Sequence, residues 1–212
     1  MELLKSLIDL FLHLDEYLAK IILDYGAWTY GILFAVIFVE TGLVVMPFLP
    51  GDSLLFAAGT FAALGSLNIW LLIGLMIIAA VVGDAVNYSI GHYLGERAYN
   101  IKWVKKEHIE KTHAFFEKHG GKAIFLARFV PIVRTFAPFV AGIGKMTYGY
   151  FATYNIVGGV TWVLTFTLLG YFFGNLEFVQ KNFELVIVAI ILISVVPMGI
   201  EWWKARRESK AG

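Results

Sequence analysis

The chain contains no cysteine among its 212 residues. That absence excludes a disulfide framework, a thiolate metal site and a cysteine nucleophile. Charged residues are also scarce, at 16%, whereas hydrophobic residues make up 59% and the mean hydropathy is +0.74. A soluble domain carries about 25% charged residues, so this composition indicates an integral membrane protein. No basic, aromatic stripe lies outside the apolar segments, and nothing therefore points to nucleic-acid binding.

Proline is rare as well, and four of the five prolines interrupt two apolar segments. The first segment, residues 27–64, would be about 57 Å long as one helix, whereas the hydrocarbon core of a bilayer is about 30 Å thick. Its prolines remove helical hydrogen bonds, and a proline followed by glycine favours a turn. The second segment, residues 123–144, is shorter but is broken in the same way. We therefore predict a re-entrant helical hairpin in each segment, with turns at Pro47, Pro50 and Gly51 in the first and at Pro131 and Pro138 in the second.

The two predicted hairpins carry opposite charges. The only acids or bases of the first segment are Glu40 and Asp52, and those of the second are Arg128 and Arg134. A charge near the middle of a bilayer costs roughly 2.5–3.5 kcal/mol on insertion scales. Paired discontinuous helices also mark the binding sites of many transporters. The four residues therefore form our candidate functional site.

Two interpretations of these charges stay open at this stage. Arg128 and Arg134 have the donor geometry to bind a phosphate group, or they form structural ion pairs with Glu40 and Asp52. The two acids couple transport to protons if their protonation changes when an arginine is taken by substrate. Alternatively, Glu40 is a structural partner and Asp52 caps the N-terminus of the second hairpin arm.

The rest of the chain divides around the two hairpins. We predict an N-terminal amphipathic helix in residues 1–26, because charges recur there every three or four residues. Full spans are predicted at 67–94 and 146–173, and the first of these carries Asp84 and Asn87 on one small, polar face. Those two residues either extend a polar path or make interhelical hydrogen bonds. The predicted organisation has a membrane domain at 27–203, comprising a first half at 27–95, a loop at 96–122, a second half at 123–174 and a last helix at 183–203, followed by a basic tail at 204–212.

A weak internal repeat relates the two halves. Each broken segment ends in Ala-Gly, at Gly59 and Gly142, and each following span ends in a Gly-x-x-x-Gly pattern, at 91–95 and 170–174. The excess of Lys and Arg in 96–122 and 204–212 predicts that both are cytoplasmic. This topology makes the repeat inverted, with the hairpins entering from opposite faces of the membrane. The glycine patterns favour close helix packing, and a homo-oligomer is an open alternative.

Several motifs resemble the DedA family of bacterial inner-membrane proteins, whose members share the VTT, or SNARE-associated, domain. The first two motifs are Phe38-Val39-Glu40-Thr41-Gly42 and Pro47-Phe48-Leu49-Pro50-Gly51-Asp52-Ser53-Leu54. The third motif is Gly83-Asp84-Ala85-Val86-Asn87-Tyr88. The fourth motif, residues 125–142, is similar to the family pattern F-x-R-[FY]-x-P-x-x-R-x-x-x-P-x-x-A-G. The resemblance covers residues 31–173.

The resemblance implies an all-α, polytopic membrane protein with two opposed, proline-broken re-entrant hairpins, located in the bacterial inner membrane. It implies translocation of a phosphate-bearing lipid, either undecaprenyl phosphate or a phospholipid, and dependence on the proton gradient. The family's functional acids match Glu40 and Asp52, and its functional arginines match Arg128 and Arg134. The implied partners are thus membrane lipids and protons.

Other classes of function are compatible with the same residues. A proton-driven antiporter for small ions or drugs would use the same acids, and a structural assembly factor would use the charges only as ion pairs. An enzyme is not expected, because the intramembrane hydroxyl groups lack a partnered base. No metal site or other cofactor is expected, since no convincing set of ligands recurs at metal-binding spacing.

Overall fold

The computed structural model describes residues 13–43, 51–95, 112, 116, 120–174, 176–183, 185–186 and 188–190. Helices and their connecting turns account for the described residues, none of which lies in a strand. The helices are α1 Leu14–Tyr25, α2 Trp28–Gly42, α3 Gly51–Ala63, α4 Ile69–Leu94, α5 Ala123–Ala127, α6 Pro131–Ile143, α7 Tyr148–Phe173 and α8 Glu177–Lys181. A 3₁₀ turn, Gly120–Lys122, precedes α5. The prediction of an all-helical protein is confirmed for this part of the chain.

Two helices, α4 and α7, are long and apolar enough to cross a membrane. Each has 26 residues and contains an 18-residue stretch whose mean hydropathy is 2.5 in α4 and 1.7 in α7. At 1.5 Å per residue each helix is about 39 Å long, which exceeds the hydrocarbon thickness. The Asn68 side chain starts α4 by accepting hydrogen bonds from the amides of Trp70 and Leu71, both at 3.0 Å. The spans predicted at 67–94 and 146–173 therefore agree with the structure to within two residues.

The amphipathic character predicted near the N-terminus is present in α1. Leu14 and Leu18 are buried against the bundle, whereas Glu16 and Lys20 are exposed. Residues 1–12 of the predicted helix lie outside the described residues. So do most of the loop at 96–122, the end of the last predicted helix and the tail at 204–212.

Helix α2 lies along the first half of α4. The hydroxyl oxygen of Tyr30, near the start of α2, accepts a hydrogen bond of 2.6 Å from the Asn68 amide, just before α4 begins. Gly42, the last residue of α2, lies against Gly83 in the middle of α4. Helix α2 thus runs beside α4 from its start to its midpoint.

Helix α3 packs along the second half of α7. The backbone of Gly59 approaches the carbonyl group of Thr167 so closely that a side chain at position 59 would overlap it. One turn away, the hydroxyl of Thr60 donates a hydrogen bond of 3.3 Å to the Gly170 carbonyl oxygen. The small residues of both helices make this short separation possible.

Helix α6 packs on the second half of α4. Gly91 lies against the carbonyl group of Phe139, and Gly142 lies against that of Tyr88. Helix α7 runs antiparallel to α4, because Phe151 near its start stacks on Tyr88 with ring centroids 4.4 Å apart. The 3₁₀ turn before α5 contacts the start of α7, and the residues after α5 contact its middle.

The breaks in the two apolar segments differ from the prediction at one proline. Residues 44–50, which include Pro47 and Pro50, lie outside the described residues, and Gly51 is the first residue of α3. In the second segment, helix ends after Ala127 and resumes at Pro131. Pro131 causes this break by holding the preceding residue, Val130, in an extended conformation (φ −123°, ψ 103°). The predicted turn at Pro138 is wrong, because Pro138 lies inside α6.

The close crossing of α4 and α6 gives a stability test. A Cβ atom at Gly91 would overlap the Phe139 carbonyl oxygen, so Gly91→Ala should force the two helices apart. We expect a loss of about 1–3 kcal/mol in the free energy of unfolding, which is typical of overpacking. Thermal unfolding in detergent micelles would measure it. Gly74→Ala, on the same helix but with no atom within 4 Å of the added carbon, is the matched control and should cause no loss. Equal stability of the two variants would contradict the packing described here.

Candidate functional site

Five ionisable side chains from five different parts of the chain meet halfway along α4 and α7. The site comprises Glu40 at the end of α2, Asp52 in the first turn of α3, Asp84 in α4, Arg128 just after α5 and Arg134 in the first turn of α6. Four of them are at most 9% exposed, and the Asp52 side chain is 15% exposed. The four residues predicted from the sequence are thus brought together, and Asp84 joins them.

Arg134 binds both acids of the first broken segment. Its Nη2 donates to Oε1 of Glu40, and its Nη1 donates to Oδ1 of Asp52 at 2.7 Å. One guanidinium group therefore joins the end of α2, the start of α3 and the start of α6. Helix α3 begins at Gly51, so Asp52 lies inside the first turn with its carboxylate directed at Arg134.

Arg128 has a different set of partners. Its Nη2 donates to Oδ2 of Asp84 at 2.6 Å and to Oδ1 of Asn155 at 2.5 Å. Its Nε and Nη1 are buried and make no hydrogen bond to the described residues. Arg134 thus uses both of its terminal nitrogens on carboxylates, whereas Arg128 uses one nitrogen, and the donors on its other two nitrogens have no partner among the described residues.

Trp162 of α7 lies beside both arginines and is fully buried. Its indole Nε1 donates a hydrogen bond of 2.7 Å to Oδ1 of Asp52. The centroid of its ring lies 5.2 Å from Cζ of Arg134 and 6.0 Å from Cζ of Arg128, which are cation–π distances.

Two interpretations of Asn87 were open from the sequence, a polar path or interhelical hydrogen bonds. In the structure Asn87 makes interhelical hydrogen bonds. Its amide nitrogen donates to the carbonyl oxygens of Thr41 at 3.1 Å and Thr135 at 2.9 Å. This side chain therefore ties α4 to the end of α2 and to α6. Asp84, one turn earlier on the same helix, instead forms the ion pair with Arg128.

The sequence reasoning missed Asn155 and Trp162. Both lie in a span that has no charge, so neither stood out as an ionisable residue in the membrane. Their seven-residue spacing places them on one helical face, with Gly158 and Gly159 between them. That face of small and polar residues was the only signal that could have identified them. The ion pairing also differs from the one expected from the sequence, in which both arginines pair with Glu40 and Asp52. In the structure, both of these acids bind Arg134.

The buried cluster holds three carboxyl groups and two guanidinium groups. With all five ionised it carries one excess negative charge, which is unfavourable in an apolar surrounding. One proton shared among the carboxyl groups would make the cluster neutral. Among the described residues, no group of three or more His, Asp or Glu side chains is suited to holding a metal ion.

Comparison with known proteins places the chain among membrane proteins. The model of the VTT domain matches residues 49–172. The chain is 55% identical to Protein DedA of Escherichia coli (strain K12), over 98% of this chain and 97% of that protein. It is 43% identical to an uncharacterized membrane protein of Mycobacterium leprae, over 81% and 78% of the two chains. Inner membrane protein YqjA of Escherichia coli (strain K12) is 34% identical, over 79% and 77%. No solved structure gives a significant match.

The ion pair between Asp84 and Arg128 can be tested by stability measurements. Asp84→Asn leaves a buried guanidinium group without its counter-ion, and we expect a loss of about 3–5 kcal/mol in the free energy of unfolding. Adding Arg128→Gln to that variant should recover much of the loss, because both charges are then gone. Denaturant titration in micelles would measure the three variants.

The control for this cycle is the exposed pair of Lys181 and Glu177, whose charged atoms lie 2.6 Å apart. Glu177→Gln should change stability little, because exposed ion pairs contribute almost nothing. Wild-type stability of Asp84→Asn would show that the buried pair is not needed for folding.

Proposed function

This chain belongs to the DedA family of VTT-domain membrane proteins, and we propose that it moves a phosphate-bearing lipid across the bacterial inner membrane. The observation that carries the proposal is the pair of buried arginines, one of which has donors at the middle of the bundle that no described residue accepts from. Undecaprenyl phosphate or a phospholipid would be the substrate. The phosphate would enter the polar centre while the lipid tail remains in the bilayer.

We further propose that the two broken segments are re-entrant hairpins that meet near the midplane. For the first hairpin, α2 runs from the start of α4 to its middle, and α3 leads back from the site along α7 to that same end. The second hairpin has the opposite sense, because α5 leads from the start of α7 to the site and α6 leads back along the end of α4. This arrangement supports an inverted repeat and access to the site from either face in turn.

Exposed aromatic side chains support the placement of the bundle in a membrane. Trp28 and Trp70, at the starts of α2 and α4, are 78% and 79% exposed. Tyr93 and Tyr148, at the end of α4 and the start of α7, are also exposed. Tryptophan and tyrosine favour the two membrane–water interfaces. By the positive-inside rule, the basic loop at 96–122 and the tail at 204–212 would lie on the cytoplasmic side of this membrane.

Arg128 is the arginine best prepared to receive phosphate. Its unpaired Nε and Nη1 are donors that a phosphate oxygen can satisfy, and guanidinium remains charged when buried. Arg134 would have to release Glu40 or Asp52 before it could bind the same group. Exchange of a carboxylate for a phosphate at Arg134 would therefore open the contact between α3 and α6, and this step would alternate access.

Proton coupling follows from the charge of the cluster. A phosphate monoester brings one or two negative charges to a site that already has one in excess when all its groups are ionised. Protonation of Glu40 would offset the charge of a singly charged phosphate. Protonation of both Glu40 and Asp52 would offset the charges of a doubly charged phosphate. A proton gradient could thereby drive binding on one side and release on the other.

Lipid translocation can be measured in proteoliposomes containing undecaprenyl phosphate, with and without a pH gradient. We expect Arg128→Gln and Arg134→Gln each to lower the rate at least tenfold, because a hydrogen bond to a charged group contributes about 1.5–3 kcal/mol. Glu40→Gln should make any remaining rate independent of the gradient. Lys181→Gln, at an exposed cation on α8, is the matched control and should transport normally.

The double variant Arg128→Gln/Asp84→Asn removes a complete ion pair and separates folding from transport. It should fold and remain inactive. Normal flipping by a folded Arg134→Gln protein would reject the proposal. Substrate-dependent proton flux in vesicles without polyprenyl lipid would favour a proton-driven antiporter instead.

A structural assembly factor is the second candidate, because the ion pairs of Arg134 join three helices. The charge exchange Asp84→Arg/Arg128→Glu separates the two functions, because Asp84 and Arg128 form a one-to-one ion pair. If the pair is only structural, the exchange should restore at least half of the cellular activity that either single variant loses. If the arginine binds phosphate, the exchanged protein should be present in the membrane and stay inactive in complementation assays.

A further inference from the structure

One neutral side chain joins the two ion-pair groups of the site. Trp162 contacts Arg134 and Arg128 through its ring, and it contacts Asp52 through its indole nitrogen. Asp52 and Arg134 belong to one group, and Arg128 with Asp84 belongs to the other.

The ring reduces the electrostatic cost of holding two cations close together. Tryptophan has the strongest negative potential over its face of the aromatic side chains, and this attraction increases when water is excluded. Both guanidinium groups and the indole are almost completely buried. The ring therefore offers each arginine an attractive surface that needs no further buried charge.

The indole nitrogen keeps Asp52 in place independently of Arg134. Oδ1 of Asp52 accepts from both Nη1 of Arg134 and Nε1 of Trp162, each at 2.7 Å. When Arg134 turns toward another anion, the tryptophan bond still holds the carboxylate. The contact of α3 with α6 can then open while α3 stays attached to α7 through this bond.

The part of α7 around Trp162 is suited to hold the indole ring and the Arg128 side chain rigidly. Gly158 and Gly159 let the Arg128 side chain lie directly on the helix, because a Cβ atom at Gly158 would come within 3.1 Å of Cδ of Arg128. Phe166, one turn after Trp162, meets its ring edge-on with centroids 6.5 Å apart. Phe166 thus packs against the indole from within the same helix.

We propose that Trp162 is a positioning residue, which orients Arg128 and Arg134 toward one shared phosphate group and retains Asp52 while Arg134 is engaged. This inference rests on the proposed function in that the two arginines bind phosphate. The inference adds Trp162, a neutral residue, to the five ionisable residues of the site. Its ring orients the two arginines, and its N–H group retains Asp52.

The first test compares half-saturating lipid concentrations for transport. Trp162→Leu removes both the ring and the donor, and it should raise the half-saturating concentration of undecaprenyl phosphate about tenfold. Trp162→Phe keeps a ring but removes the donor, and the increase should be smaller, about threefold. Trp70→Leu, at an exposed tryptophan of α4, is the matched control and should leave this concentration unchanged.

The half-saturating lipid concentration distinguishes a positioning role of Trp162 from a purely structural one. A merely destabilised protein would give a lower maximal rate, because fewer molecules are folded, with an unchanged half-saturating concentration. Wild-type half-saturation in both Trp162 variants would overturn the inference, whatever their maximal rates, while leaving the proposed function intact. Trp162→Phe keeps the test valid if the leucine variant does not fold.

A spectroscopic test uses the native residue and does not require transport. In a protein whose other five tryptophans are replaced by phenylalanine, the emission of Trp162 should change on titration with inorganic phosphate, and the double variant Arg128→Gln/Asp84→Asn should abolish that change. An emission change without lipid transport would support the positioning role and reject the proposed lipid substrate. No emission change in the folded single-tryptophan protein would overturn the inference.

Discussion

Ionised groups in an apolar interior must find partners within the protein, and this requirement organises the centre of the molecule. Arg134 binds carboxylates from two helices other than its own, and Arg128 ties α4 to α7. The end of α2 and the starts of α3 and α6 are therefore held beside the middle of α4 and α7. Trp162 adds the contact that joins both arginines, so the two groups form one continuous site.

Close backbone packing allows the charged groups to meet at that depth. Gly51 leaves the space that the Glu40 carboxylate occupies, since a Cβ atom there would overlap it. Gly158 does the same for the side chain of Arg128. Gly59 and Gly91 then bring the flanking helices together farther from the site. Small residues thus act in two ways, by admitting the polar side chains and by closing the bundle around them.

Stability alone is a weak reason to keep five ionisable groups in such a place. Desolvation offsets most of the attraction within a buried ion pair, and apolar replacements are often as stable. In the function proposed above, the three acids, the two arginines and the Arg128 donors that have no partner among the described residues serve a charged substrate that enters and leaves. In that proposal the same imbalance would link anion binding to proton uptake, which a fully neutral set of pairs would not require.

Hydropathy, proline positions and isolated charges are local properties, so the amino-acid sequence alone predicted the helical class, the two helices long and apolar enough to cross a membrane, and the four charged residues of the broken segments. It could not assign the pairing, since Glu40, Asp52, Asp84, Arg128 and Arg134 are equally compatible with several arrangements until the helices are packed. Tertiary structure decided that both acids of the first segment bind one arginine and that Asp84 binds the other. It also brought Asn155 and Trp162 into the site, because neutral residues acquire this role only from the neighbours against which they are buried.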